Sequence, residues 1–188
     1  MIQTRWKEIY EIKKYSKESN NTKQISGEIS ILAYDIWREH YEPITGLAQV
    51  EYMLEKYQSP EHIYDDIKDN GFIYFTAESI KDNKLVGYAA CQPRDDCMYL
   101  SKLYIQKDYR GNGISRCFIN IIEELCRNEF GLNKIRLTVN KYNKNSIAVY
   151  NKIGFETVDS VKVDIGGGFY MDDYVMELII GHGECDNK

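Results

Sequence analysis

Apolar residues at helical spacing dominate the first third of the chain. Ile25, Ile29, Leu32 and Ile36 recur every three or four positions with Trp37 beside them, which predicts an amphipathic helix. A polar loop at residues 16–22 precedes it, and a short strand is expected at 6–12. Pro43 and Gly46 punctuate the end of this helix, and a second follows through Val50, Met53, Leu54 and Tyr57. Ser59-Pro60 reads as a cap with proline in the first turn of a third, short helix reaching Asp69. From residue 71 the period changes. Residues 72–77 are rich in aromatic and β-branched side chains, 81–83 read as a turn and 85–91 as a return strand, together a hairpin. Another strand is expected over 97–106. A strong helix follows, with Ile114, Phe118, Ile121, Ile122 and Leu125 on one face, stopped by Gly131 and Asn133. Ile135, Leu137 and Val139 alternate with Arg136, Thr138 and Asn140, a strand with one buried face. Residues 146–153 form a short helix ended by Gly154, and strands at 155–165 and 169–180 flank Gly166-Gly167-Gly168. This order predicts an α/β (α+β) arrangement around one mixed sheet.

Length and composition narrow the reading. The 188 residues suit one domain over 1–180, with the first strand and helices in 1–70, a core in 71–180 and a polar tail at 181–188. With 24 basic and 29 acidic residues the net charge is −5, which disfavours a nucleic-acid partner and suits a cationic small molecule. No run approaches the ~18 apolar residues of a membrane span. Arg5, Lys7, Glu8, Glu11, Lys13 and Lys14 interrupt the N-terminal segment, so no signal peptide is expected. The five cysteines (Cys91, Cys97, Cys117, Cys126, Cys185) contain no C-x-x-C pair, which favours reduced thiols in a cytoplasmic setting over a disulfide framework. The three histidines (His40, His62, His182) are far apart, so no metal site is expected, and His62 and His182 read as surface residues.

The chemistry-bearing segment runs from Leu103 through Arg110-Gly111-Asn112-Gly113 into Ile114-Ser115-Arg116. A strand enters a glycine turn that opens a helix. Backbone N–H groups at a helix start lack intrahelical partners, and the helix dipole adds partial positive charge there. Glycines let a phosphate approach that backbone, and Arg110 and Arg116 add charge at the rim. A dinucleotide fingerprint fails because Arg116 stands at its third glycine. A P-loop fails on spacing and on its missing Lys-Ser/Thr pair.

The same residues, as Arg110-x-x-Gly113-x-Ser115, resemble the acetyl-CoA motif of the GNAT superfamily of N-acetyltransferases, Arg/Gln-x-x-Gly-x-Gly/Ala. Serine at the last position departs from the pattern. Downstream, Asn143 to Phe155 resembles the family's N-x-x-A-x-x-x-Y-x-K-x-G-F helix, with Ser146 at the usual alanine. The closing strand, around Asp173, is similar to that of bacterial polyamine-acetylating members. The resemblance implies a single-domain GNAT fold: a mostly antiparallel sheet of six to seven strands, splayed in the middle and flanked by helices. It implies acetyl-CoA as cosubstrate and, by analogy, a possible homodimer.

Carried over position by position, the resemblance assigns roles. Leu103, Tyr104 and Ile105 would offer backbone groups to the pantetheine arm, with the Ile105 N–H aimed at the thioester carbonyl. Gly111, Asn112, Gly113, Ile114 and Ser115 would cradle the pyrophosphate. Tyr150 would protonate the departing thiolate, a phenol near pKa ~10 acting on a thiol near ~8.5. Asn143 would bond the pantetheine or cap its helix. The family's usual basic position is here Ser101, with Tyr99 two residues earlier, and neither is a base. Deprotonation is therefore expected to run through water toward Asp95, Asp96 or Asp173. Trp37 and Tyr41, with Glu39, His40 and Glu42 near them, are expected to meet an alkylammonium acceptor.

The reading is an N-acetyltransferase acting on a small-molecule amine, a polyamine being the expected case. Two alternatives stand beside it: acetylation of a protein N-terminus or lysine, and a catalytically weak CoA-binding domain, the latter favoured by the absent carboxylate at Ser101.

Overall fold

The computed structural model describes residues 9–181. Seven strands form one sheet: β1 (Tyr10–Tyr15), β2 (Ile73–Ser79), β3 (Lys84–Pro93), β4 (Met98–Ile105), β5 (Lys134–Asn140), β6 (Glu156–Gly166) and β7 (Phe169–Ile179). Their spatial order is β1-β2-β3-β4-β5-β7-β6, antiparallel throughout except for β4 beside β5. Three helices, α1 (Thr22–Thr45), α2 (Leu47–Gln58) and α3 (Pro60–Lys68), cover one face. Helices α4 (Ile114–Leu125) and α5 (Lys144–Ile153) lie on the other. This is the expected GNAT arrangement.

Each helix forms where its sequence signals place it. Ile25, Ile29, Leu32, Ile36 and Trp37 are the buried stripe of α1. Pro43 does not stop that helix but sits in its last turn, and Gly46 at φ +82° ends it. Ser59 accepts the His62 N–H with Pro60 in the first turn of α3, the cap the sequence announces. The α4 helix runs on through one wide turn, Cys126–Phe130, before Gly131 stops it in the left-handed conformation. The first strand lies later than expected: it reaches Tyr15, because Tyr10 to Tyr15 pair with Ser79 to Tyr74, and residues 6–8 lie outside the described residues.

Two cores lie on opposite faces of the sheet. Phe75, Met98, Leu100, Phe118, Ile122, Ile135, Leu137 and Phe155 fill the α4–α5 side, whereas Ile29, Trp37, Ile63, Ile67, Tyr74 and Tyr88 fill the α1–α3 side. Strand β4 serves both because it changes parity midway. Leu100 pairs with Cys91 and Lys102 with Ala90, so Ser101 is an extra residue, a β-bulge. Met98 and Leu100 before it face the α4 core with Leu103 and Ile105 after it. Lys102 and Tyr104 consequently turn toward α1–α3.

The bulge coincides with the end of β4–β5 pairing. The two strands pair only from Met98–Ile135 to Leu100–Leu137, and thereafter β5 stays with β7 while β4 stays with β3. The sheet therefore opens between Ser101–Ile105 on one side and Thr138–Asn140 on the other. Gly87 on β3 keeps β4 close at this point. A Cβ there would stand 3.0 Å from the Tyr104 carbonyl oxygen and 3.3 Å from Ile105 Cγ1. Gly87→Ala is expected to lower unfolding free energy by about 1–3 kcal/mol through this backbone clash. Urea unfolding checks it, and an unchanged midpoint would contradict it.

Candidate active site

A cavity of about 720 Å³ occupies the opening between β4 and β5 and continues over the α1–α3 side. Antiparallel pairing decides which backbone groups face it. Gln106 donates to the Val86 carbonyl at 2.8 Å, so Gln106–Val86 is a hydrogen-bonded pair and Ile105–Gly87 a non-bonded one. The N–H and C=O of Ile105, and by the same alternation those of Leu103, point away from β3 into the opening. Tyr104 differs from the expectation: its backbone groups are spent on β3. Its ring instead packs 5.5 Å from Trp37, 6.3 Å from Tyr41 and 5.3 Å from Tyr88, forming an aromatic wall of the cavity.

Beyond β4 a tight turn (Lys107–Tyr109) leads into the glycine loop. Gly111 and Gly113 adopt φ +81° and +84°, and a Cβ on either would meet nothing within 4 Å. The first helical bond of α4 runs from the Cys117 N–H to the Gly113 carbonyl, so the amides of Ile114, Ser115 and Arg116 have no intrahelical acceptor. No side chain caps this end. Gly111, Gly113, Ile114 and Ser115 line the cavity, and this open, amide-rich turn fits a diphosphate.

The arginines also brace the fold. Arg110 lines the cavity, but its Nε donates to the Ile105 carbonyl at 2.9 Å and its Nη2 to Glu39 at 2.7 Å. It thus braces β4 against α1 and leaves the Ile105 N–H as the open group of that residue. Arg116 donates to the Ile153 carbonyl at 3.0 Å and ties α4 to α5. Asn112 closes its own turn on the Tyr109 carbonyl at 3.2 Å. Neither Arg116 nor Asn112 lines the cavity.

Asn143 is buried, and of its two expected roles the capping one is present: Oδ1 accepts the Ser146 N–H at 3.2 Å. The same oxygen lies 3.2 Å from His40 Nε2, and Nδ2 lies 3.5 Å from the Tyr41 hydroxyl. With Oδ1 as acceptor, His40 carries its hydrogen on Nε2. Burial, then the nearby Arg110 charge, push the imidazole below its usual pKa and keep it neutral. This knot joins the end of α1 to the start of α5 beside the cavity.

Tyr150 lines the cavity from α5, its ring 5.6 Å from Phe155. Burial raises its hydroxyl well above the ordinary phenol range, so it holds its proton at any physiological pH. Tyr41 is pushed up to about 12, mainly by burial. Trp37, Tyr99 and Ser101 also line the cavity; the Tyr99 hydroxyl is 3.4 Å from Thr138 Oγ1, and the Arg94 guanidinium stacks 3.8 Å over its ring.

Of the three carboxylates considered as proton acceptors, Asp173 lines the cavity. Asp95 and Asp96 are exposed, and Asp96 is held by Lys134 and Arg136 at 3.0 Å. Glu39 is likewise occupied by Arg110. Asp173 is buried on β7, and burial, then Asp172, lift its carboxyl to about 6. His62, read from the sequence as a surface residue, is half-buried and lines the cavity; His182 lies outside the described residues. The Asp66–Lys102 pair on the same wall gave no signal in the sequence. Its partners are 36 residues apart, and Lys102 occupies what simple alternation makes a core position.

The Acetyltransferase (GNAT) family model matches residues 33–155, well over half of the chain. The chain belongs to the GNAT acetyltransferase family. It is therefore an acyltransferase, and members of this family use acetyl-CoA. A thialysine N-ε-acetyltransferase of Caenorhabditis elegans is 27% identical over 140 residues, covering 70% of this chain and 84% of the relative. Among solved structures, a PaiA N-acetyltransferase of Thermoplasma acidophilum in complex with coenzyme A superposes with a TM-score of 0.72 at 22% identity, covering 90% of this chain and 98% of that one. A chimeric spermidine N-acetyltransferase from Vibrio cholerae and hSSAT gives 0.55 at 20% identity, covering 89% and 95%. At these identities the structural likenesses speak to the fold.

The raised Asp173 carboxyl has a consequence for stability. The folded protein binds this proton more tightly than the unfolded chain, whose carboxyl titrates near ~4. The site costs nothing below that range and destabilises the fold as pH rises through about 6. Asp173→Asn is therefore expected to be more stable than the natural chain near pH ~7.5, by up to about 2 kcal/mol, and no more stable near pH ~4. Thermal unfolding at both pH values checks this; an equal difference at both would contradict it.

Proposed function

We propose that the protein moves the acetyl group of acetyl-CoA to a primary amine of a small molecule, with both substrates bound together. The observation that carries this is a single cavity joining the open backbone of β4 and the glycine turn to a buried carboxylate, Asp173. When bound, acetyl-CoA supplies an activated carbonyl carbon. In this reading the amides of Gly111 to Ser115 hold the diphosphate, and Leu103 and Ile105 hold the pantetheine arm as an added strand. The Ile105 N–H donates to the thioester oxygen and strengthens as negative charge grows there.

Asp173 orients the ammonium and, through water, takes the proton that the nitrogen must lose before attack. Its raised pKa suits an acceptor working near neutral pH. Tyr150 gives its proton to the sulfur. The phenol's high pKa matches the surroundings, since the apolar wall that raises it also makes the thiolate a stronger base. No cysteine among the described residues lines the cavity, which supports direct attack over an acyl-thiol route.

The closing hairpin favours a small acceptor over a peptide. A peptide needs an open groove between the first helices and β6–β7, but α2 is bridged to that hairpin. Tyr52 Oη and Lys56 Nζ both donate to the Ile165 carbonyl at 2.6 Å, and Gln49 Nε2 donates to the Tyr170 carbonyl at 3.0 Å. The glycine turn is packed on the same helix, with the Tyr52 ring 3.1 Å from where a Gly167 Cβ would stand. The nematode relative, named for N-ε-acetylation of thialysine, supports the same class.

Tyr150→Phe is expected to lower kcat by about 10²-fold while leaving acetyl-CoA affinity within about twofold. Thiol release from acetyl-CoA with an amine panel, alongside calorimetric titration of CoA, measures both. Unchanged kcat would remove Tyr150 from the reaction.

A further inference from the structure

The cavity does not end at the aromatic wall. On the α3 side it is lined by Tyr57, His62, Asp66, Phe72 and Lys102, a polar group that the acetyl transfer does not use. The Ser101 bulge aims Lys102 here, and the residue is 5% exposed. Its ammonium lies 2.7 Å from Asp66 Oδ2 and 5.1 and 5.5 Å from the ring centres of Tyr74 and Phe72.

Asp66 is already fully engaged. Its Oδ2 also accepts the Tyr74 hydroxyl at 2.7 Å, while Oδ1 faces His62 Nε2 at 3.4 Å and Asn70 Nδ2 at 3.5 Å. An ammonium has three N–H donors. Among the described residues one of them has a hydrogen-bond acceptor, Asp66, so beside the two ring contacts a buried cation keeps two donors without a hydrogen-bond acceptor next to a cavity. As a brace between α3 and the sheet this arrangement is a poor choice, since a buried ion pair stabilises no better than apolar packing. As half of a recognition site it has a use.

Resting on the acceptor reading above, we infer that the acceptor is an amino carboxylate, its ammonium on the Asp173 side of the cavity and its carboxylate on Lys102, with His62 beside it. A diamine is the disfavoured acceptor. Its second ammonium would meet Lys102, and the one carboxylate lining that end among the described residues, Asp66, is spent on internal partners. The cavity thus has a negative pole at Asp173 and an open cationic donor at Lys102, the polarity of a zwitterion.

The test compares acceptors matched in length: ω-amino carboxylates, diamines and alkylamines of increasing chain length. In the natural chain the best amino carboxylate should exceed its matched diamine and alkylamine in kcat/KM by about tenfold or more, with the difference in KM. In the Asp66→Asn/Lys102→Met double variant, which keeps an acceptor for Tyr74 and leaves no unpaired charge, that ratio should fall to about one. Circular dichroism and thermal melting confirm that the variant is folded. Calorimetry of 6-aminohexanoate with the CoA-loaded protein gives a second readout: binding to the natural chain, and at least about tenfold weaker binding to the variant. A preference for the diamine, a ratio that survives in the variant, or equal binding by both proteins would overturn the inference. Absence of turnover with every amine would sink the acetyl-transfer reading instead, and the calorimetric comparison would still decide the role of Lys102.

Discussion

The fold turns on a parallel pairing that stops early. β4 and β5 share three residue pairs and then separate, each held by its other neighbour. A parted strand leaves N–H and C=O groups unpaired in the interior, which is costly unless something supplies partners. On β4 one such group is answered from inside, because Arg110 donates to the Ile105 carbonyl. The N–H groups of Ile105 and Leu103 stay open to the cavity, and in the proposed reading a ligand pairs with them as an added strand. The structure thus keeps an internal sheet edge open.

The residues around that edge hold it apart and wall it off on the α1–α3 side. Ser101 bulges where the pairing ends, and Trp37, Tyr41, Tyr88 and Tyr104 pack as a wall on the α1–α3 side. Asn143 fixes the far rim by capping α5 while binding His40 and Tyr41 from α1. Burial against this space raises Tyr150 and Asp173 together, and in the proposed reaction the first is the proton donor and the second the acceptor. The two opposite roles proposed for them thus have one physical cause.

Much of this was legible in the sequence, for reasons that particular residues make plain. Helix α1 announces itself by Ile25, Ile29, Leu32 and Ile36, and the cradle by Gly111 and Gly113, which take φ values few other residues adopt. Signals of this kind are local. What stayed hidden depends on distance or parity. Strict alternation along β4 puts Lys102 with Leu100, and the bulge that reverses it carries no glycine or proline to mark it. That Arg110 and Arg116 also brace the fold stays hidden, because their partners, Glu39 and the Ile153 carbonyl, arrive from elsewhere in the chain. Asp173 emerged as the cavity's available carboxylate only when the structure showed Asp96 and Glu39 engaged elsewhere.

Backbone amides of β4 and of the α4 start are the groups proposed to receive coenzyme A. Amide hydrogen exchange with and without CoA reads those groups directly. Leu103, Ile105, Gly111, Gly113 and Ser115 should slow together on binding, while β1 and β2 stay unchanged. Slowing confined to other segments, or none at saturating CoA, would contradict the account.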